Sequence, residues 1–120
     1  MSHSTFFLLV CGSRTYSNTT VLHQHLDRAL QRQPGLVVVT GCGRGADRMA
    51  IDWAVDRGVP YARYAAQWSR FGKAAGPRRN QRMLSIAHGV LAFPLAGSKG
   101  TVGVISSAHK QGIPTRVVAP

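Results

Sequence analysis

Residues Leu36–Asp47 read LVVVTGCGRGAD. The run from Leu36 to Thr40 is short, β-branched and apolar until its last residue. That is the pattern of a strand buried on both faces of a parallel sheet. It runs straight into three glycines, Gly41, Gly43 and Gly45. A helix stripe follows, with Ala46, Met49, Ala50, Trp53 and Ala54 spaced i, i+3, i+4, i+7 and i+8. Strand, glycine turn and helix in that order place backbone N–H groups and the positive end of a helix dipole at a strand's carboxyl end, which makes an anion cradle. The glycines follow neither the GxGxxG dinucleotide spacing nor a P-loop, since no Gly-Lys-Ser/Thr follows. Asp47 falls in the first helical turn. It is either a helix-end carboxylate favouring the dipole or an acceptor for a ribose hydroxyl.

The same alternation extends in both directions. Phe6–Cys11 (FFLLVC) reads as a first buried strand, ended by Gly12. Asn18 or Thr19 is expected to cap a helix to about Gln33, with Leu22, Leu26, Ala29 and Leu30 on one face, and Pro34-Gly35 stops it. After Gly58, Val59–Tyr64 reads as a third strand and residues 65–76 as a loop. Pro77 suits the first turn of a helix reaching His88. Val90–Phe93 is a fourth strand. Gly97–Thr101 is another glycine loop before a helix to Gln111, and Thr115–Ala119 is the last strand. The expected fold class is therefore α/β: a Rossmann-like, doubly wound parallel sheet of about five strands with helices on both faces. Residues 1–120 are expected to form a single domain. Ligands of such sheets bind beyond the carboxyl ends of the strands, which directs attention to four loops.

Charge agrees with that focus. The chain has 120 residues, 15 Lys and Arg against four acids, and a formal charge of +11. Residues 1–56 carry five cations and four acids, Asp27, Asp47, Asp52 and Asp56. Residues 57–120 carry ten cations and no acid, and there is no glutamate anywhere. Paired-carboxylate catalysis and a carboxylate cage for calcium or magnesium are thereby disfavoured. A phosphate-bearing partner is favoured. Cys11 and Cys42 make neither a disulfide framework nor a zinc spacing and read as two buried, reduced thiols. The five histidines, His3, His23, His25, His88 and His109, are scattered, so neither a metal site nor a cofactor is expected. No apolar run approaches the ~20 residues of a membrane span. The N-terminal stretch lacks a basic leader and reads as a strand, so the expected location is cytoplasmic, in the host's cytoplasm if the chain is phage-encoded.

The loops carry the candidate ligand-binding residues. In the first, Gly12 permits close backbone approach, and Ser13 and Arg14 are phosphate donors. The second contributes Gly41, Gly43, Arg44, Gly45 and Asp47. The third holds Trp68, Lys73, Arg79 and Asn80, within a basic cluster that also includes Arg78 and Arg82. Trp68 either stacks on a base or covers the core edge. The fourth, Gly97, Ser98, Lys99, Gly100 and Thr101, is a second phosphate cradle.

The set Gly12-Ser13-Arg14, Gly41-x-x-Arg44-Gly45-Ala46-Asp47, Trp68, Ala75-Gly76-Pro77-x-Arg79-Asn80-x-x-Met83, Gly97-x-x-Gly100-Thr101 and Gly112-Ile113-Pro114 resembles the SLOG superfamily. It looks most like the small single-domain phage and bacterial branch called YspA-like. The resemblance implies a Rossmann-like sheet and binding of nucleotides or nucleotide-derived signals of the ADP-ribose or cyclic-nucleotide type, as a sensor or a phage sponge. It also implies a homo-oligomer. The superfamily includes the "lonely guy" phosphoribohydrolases, which use an arginine four residues before a methionine, as Arg79 stands to Met83. Their Pro-Gly-Gly-x-Gly-Thr-x-x-Glu motif is broken here. Two residues are inserted after Pro94, Ala96 replaces a glycine, and Val104 occupies the glutamate position. Valine cannot ionise, so Asp47 is the remaining candidate acid. The resemblance therefore leans away from an enzyme, with a weak N-glycosidic phosphoribohydrolase as one alternative. The other alternative is single-stranded nucleic-acid binding, as in the DNA-processing protein A group.

Overall fold

A computed structural model describes residues 4–120; His3 and the two residues before it lie outside the described residues. The elements run β1 (Phe6–Gly12), α1 (Thr19–Arg32), β2 (Leu36–Thr40), α2 (Ala46–Arg57), β3 (Tyr61–Arg63), α3 (Trp68–Phe71), α4 (Ala75–Ile86), β4 (Gly89–Phe93), α5 (Lys99–Lys110) and β5 (Thr115–Val117). All five strands are parallel in one sheet, ordered β3-β2-β1-β4-β5. The strand order reverses between β1 and β4, which is where such sheets bind ligands.

The period-two alternation of β1 divides the core. Leu8 and Val10 face α1 and α2, and pack with Leu22, Leu26, Ala46, Ala50, Trp53 and Ala54. Leu9 and Cys11 face the opposite layer and pack with Met83 and Leu84 of α4 and Val104 and Ala108 of α5. Helices thus cover both faces, as the unbroken apolar strands require. Asn18 caps α1, its side chain accepting the Val21 amide at 3.2 Å. Gly58 closes α2.

Several boundaries differ from expectation. The stretch from Ala65 to Gly76 is not simply a loop: it contains α3, a 3₁₀ turn at Gly72–Ala74 and the start of α4. Helix α4 begins at Ala75, two residues before Pro77, and ends at Ile86. Pro77 fits there because first-turn amides have no intrahelical acceptor, so its missing N–H costs nothing. Strand β3 begins at Tyr61, since Pro60 has no amide to donate; it serves instead through its carbonyl, which accepts from Val38 N at 3.0 Å. Cys11 is buried, but Cys42 is exposed on the glycine turn, so only one of the two thiols is interior.

Candidate functional site

The four strand-end loops surround an open cleft of about 1070 Å³ above β2, β1 and β4. The first loop is tied down on both sides. Ser13 N donates to Phe93 O at 3.1 Å, and Ser13 O accepts from Ala46 N at 3.3 Å. Of the residues named from sequence, Gly12, Ser13, Arg14, Gly41, Gly43, Arg44, Asp47, Trp68, Arg79, Asn80, Gly97, Ser98, Gly100 and Thr101 all line this cleft. Gly45 and Lys73 do not. Gly45 sits beneath the turn at φ +66°, and a Cβ there would run into the backbone of Ser13 and Arg14. It brings the first two loops into contact rather than facing the cavity. Lys73 is exposed on the 3₁₀ turn, away from the lining.

Two helices aim their amino ends at this space. Neither α2, after Gly45, nor α5, after Ser98, has a side-chain cap. In α2, Ala46 N is held by Ser13 O, but among the described residues the amides of Asp47 and Arg48 have no acceptor. In α5, Lys99 N reaches Gly97 O, and the amides of Gly100 and Thr101 likewise lack one. Unpartnered first-turn amides carry the positive end of the helix dipole and favour an anion.

Arg79 enters from α4. Its Nε donates to Asn80 Oδ1 at 2.8 Å and its Nη1 to Tyr64 O at 3.2 Å, so the guanidinium is held in place before any ligand arrives. Asp47 stands opposite. A Cβ on Gly41 would lie 2.6 Å from Arg79 Nη1 and 3.0 Å from Asp47 Oδ2, so only glycine leaves both groups room. They make no direct ion pair. The Gly43 amide donates to Asp47 Oδ2 at 3.1 Å. Arg78 and Arg82 leave the cleft: Arg78 lies 4.3 Å over the Phe71 ring and Arg82 5.2 Å over Tyr64.

Burial pushes the Asp47 carboxyl above its ordinary 3.8. The Gly43 amide, the Thr40 hydroxyl and the positive charges of Arg79 and Arg14 oppose that shift without cancelling it. A raised carboxyl favours the folded state fully below 3.8 and loses that advantage as pH rises through its folded value, so ionised Asp47 is a burden at neutral pH. Asp47→Asn keeps the shape and the acceptor for Gly43. It is expected to raise stability at pH 7 by about 0.5–2 kcal/mol, the usual gain at a site kept for function. It should also flatten the pH dependence just above 3.8. Urea denaturation at pH 3.5 and pH 7 measures both, and a less stable variant at pH 7 contradicts this reading of Asp47.

The floor of the cleft was only partly visible in the sequence, which marked Met83 and Val104 through the family motifs. Val10, Cys11, Met83 and Val104 form it, and all four are buried. Burial first, and then the Asp47 charge, push the Cys11 thiol up to about 12, so it stays protonated and inert at neutral pH. Only the alternation of β1 hinted that Val10 and Cys11 end beneath the loops. Asp47 is the only carboxylate lining the cleft among the described residues. Among those residues, no three His, Cys, Asp or Glu side chains come close enough to hold a metal ion.

Residues 7–71, which include the first two loops and α2, match the YspA, cpYpsA-related SLOG family. The chain belongs to that family. The match ends before Arg79 and the Gly97–Thr101 loop. A second similarity extends past them: the Gene 61 protein of Mycobacterium phage D29 is 40% identical over 114 residues, covering 89% of this chain and 91% of that protein. Among solved structures, DNA processing protein A from Streptococcus pneumoniae superposes with a TM-score of 0.60 at 16% identity over 93% of this chain. At that identity the likeness shows a shared fold alone, and this chain spans 58% of the length of that protein. No described helix is long and apolar enough to cross a membrane.

Proposed function

We propose that the cleft binds a phosphorylated nucleoside or nucleotide-derived signal of the ADP-ribose or cyclic-nucleotide type, without turning it over. The observation that carries this reading is the convergence of two uncapped helix ends, α2 and α5, with the anchored Arg79 on one cavity. Phosphate oxygens would accept from the free amides and from Arg79. Asp47, beside them, would take a ribose hydroxyl, and Trp68, 56% exposed at the rim, would offer its face to the base. The floor supports the reading without turnover. Val104 stands where a phosphoribohydrolase would carry its glutamate, and it is buried among Met83, Leu84 and Ala108.

In this reading the protein is a homo-oligomeric cytoplasmic sensor or sponge. The likeness to a phage protein favours the host cytoplasm and the sponge. Calorimetric titration with ADP-ribose tests it. Arg79→Ala is expected to weaken binding by about 1.5–3 kcal/mol, the range for a hydrogen bond to a charged group. Unchanged affinity removes Arg79 from the site. Released base after incubation with nucleoside monophosphates, lost in Asp47→Ala, would replace binding with N-glycosidic hydrolysis.

One observation favours a second reading, single-stranded nucleic-acid binding. The guanidiniums of Arg70, at 4.9 Å, and Arg78, at 4.3 Å, both lie over the Phe71 ring, three residues along the chain from the exposed Trp68, in a segment with no acid. Stacking surfaces beside cations suit a strand. Its mark is affinity for unrelated single strands that falls steeply with salt.

A further inference from the structure

On the other side of the Gly43–Gly45 turn, a smaller hollow of about 370 Å³ opens toward β3, the edge strand. Three arginines line it from three different elements: Arg44 from the turn, Arg48 from the first turn of α2, and Arg63 from the last position of β3. One carboxylate answers them. Asp52 pairs with Arg48 at 3.2 Å one helical turn on, with both side chains more than half exposed. Arg44 and Arg63 have no ion-pair partner among the described residues. Guanidiniums gathered around a hollow repel one another unless water or an anion screens them. Cys42, Gly43 and Arg44 form part of the wall of both cavities, so the two are separated by a single turn of chain.

We infer that the physiological ligand carries at least two phosphates separated by a nucleoside, one seated in the cleft and one in this arginine-lined hollow. The inference rests on the proposed phosphate role of the cleft and extends it. A mononucleotide occupies the cleft alone. Two sources share the required chemistry: a dinucleotide-type small molecule, and a short stretch of nucleic-acid strand. In both, the chain of the ligand crosses the Cys42–Arg44 turn that the two cavities share. The second phosphate then meets Arg63 and Arg48, and its bidentate pairing with either resembles other arginine–phosphate contacts.

The test compares three probes, AMP, the linear dinucleotide pApA and the single strand dA12, on the wild type and on Arg63→Ala and Arg63→Gln. The replaced side chain lines the hollow and not the cleft. The wild type is expected to hold pApA about tenfold or more tighter than AMP, the effect of one added charge-assisted contact. Each variant should lose about fivefold to tenfold for pApA while its AMP affinity stays within about twofold, which also shows that the fold is intact. Arg63→Lys should recover part of the loss. If dA12 binds tighter than pApA with a steep salt dependence, the source is a nucleic-acid strand; equal affinities point to the small dinucleotide. If the wild type binds AMP but holds pApA no tighter, or if the variants weaken AMP and pApA alike, the two-phosphate inference is overturned while the cleft reading stands. If AMP does not bind the wild type at all, the cleft reading falls and the inference falls with it.

Discussion

Replacing Gly45 with alanine is expected to destabilise the protein by about 2–6 kcal/mol and to abolish ligand binding. Two costs combine at this position. Gly45 has φ +66° and ψ −122°, a conformation that side-chain-bearing residues rarely adopt and that costs about 1–3 kcal/mol to impose. The new Cβ would also press on Ser13 O and come within 2.7 Å of the Arg14 carbonyl carbon and oxygen. These are backbone atoms, so relief requires the first loop to move, and such overpacking costs about a further 1–3 kcal/mol. Moving that loop breaks the Ala46 N–Ser13 O hydrogen bond and separates two walls of the cleft. Urea midpoints and ADP-ribose titration measure the two effects. A variant with the wild-type midpoint would show that the two loops are not packed as described.

Trp53→Ala is expected to cost about 3–5 kcal/mol, a large share of the stability of a domain this size. Trp53 is fully buried between α2 and the sheet, and its Nε1 donates to Asp27 Oδ1 of α1 at 2.9 Å. Arg57 donates to the same oxygen at 2.9 Å. The indole therefore fills the core and ties two neighbouring helices together. Trp53→Phe separates these roles by keeping much of the volume while removing the N–H. The Trp53 N–H is the main influence holding the Asp27 carboxyl below its ordinary 3.8, with Arg57 assisting and partial burial opposing. A lowered carboxyl stabilises the fold above 3.8 and loses that contribution as pH falls through its folded value. Trp53→Phe should therefore flatten the fall in stability below pH 3.8. A fall as steep as that of the wild type contradicts the assigned role of the indole N–H.

How much of this could be read in the sequence depended on periodicity. Strands buried on both faces leave unbroken apolar runs, and the α2 stripe lies on one helix face, so the sheet and the cleft's position followed from pattern alone. Helix α3 did not, because four residues, Trp68–Phe71, are too few to show a period. The basic cluster was legible as a cluster but not in its aim. At about 100° per residue, Arg78 and Arg82 fall within about 40° of each other on one face, while Arg79 is turned about 100° from Arg78, and Arg79 alone of the three lines the cleft. Gly45 looked like part of the cradle because glycines there serve two purposes. Gly41 gives Arg79 and Asp47 room, and Gly45 lets two loops touch; sequence does not distinguish them. Cys42 was read as interior from the habit of cysteines in general, while its place on a turn between glycines exposes it.

The central claim is that nucleotide phosphates sit on the uncapped ends of α2 and α5. Amide chemical shifts of ¹⁵N-labelled protein titrated with ADP-ribose test it most directly. The largest shifts are predicted at Gly43–Arg48 and at Ser98–Thr101, with the Arg79 Nε resonance moving alongside them. Saturable shifts confined to other surfaces, or none at millimolar ligand, would contradict it.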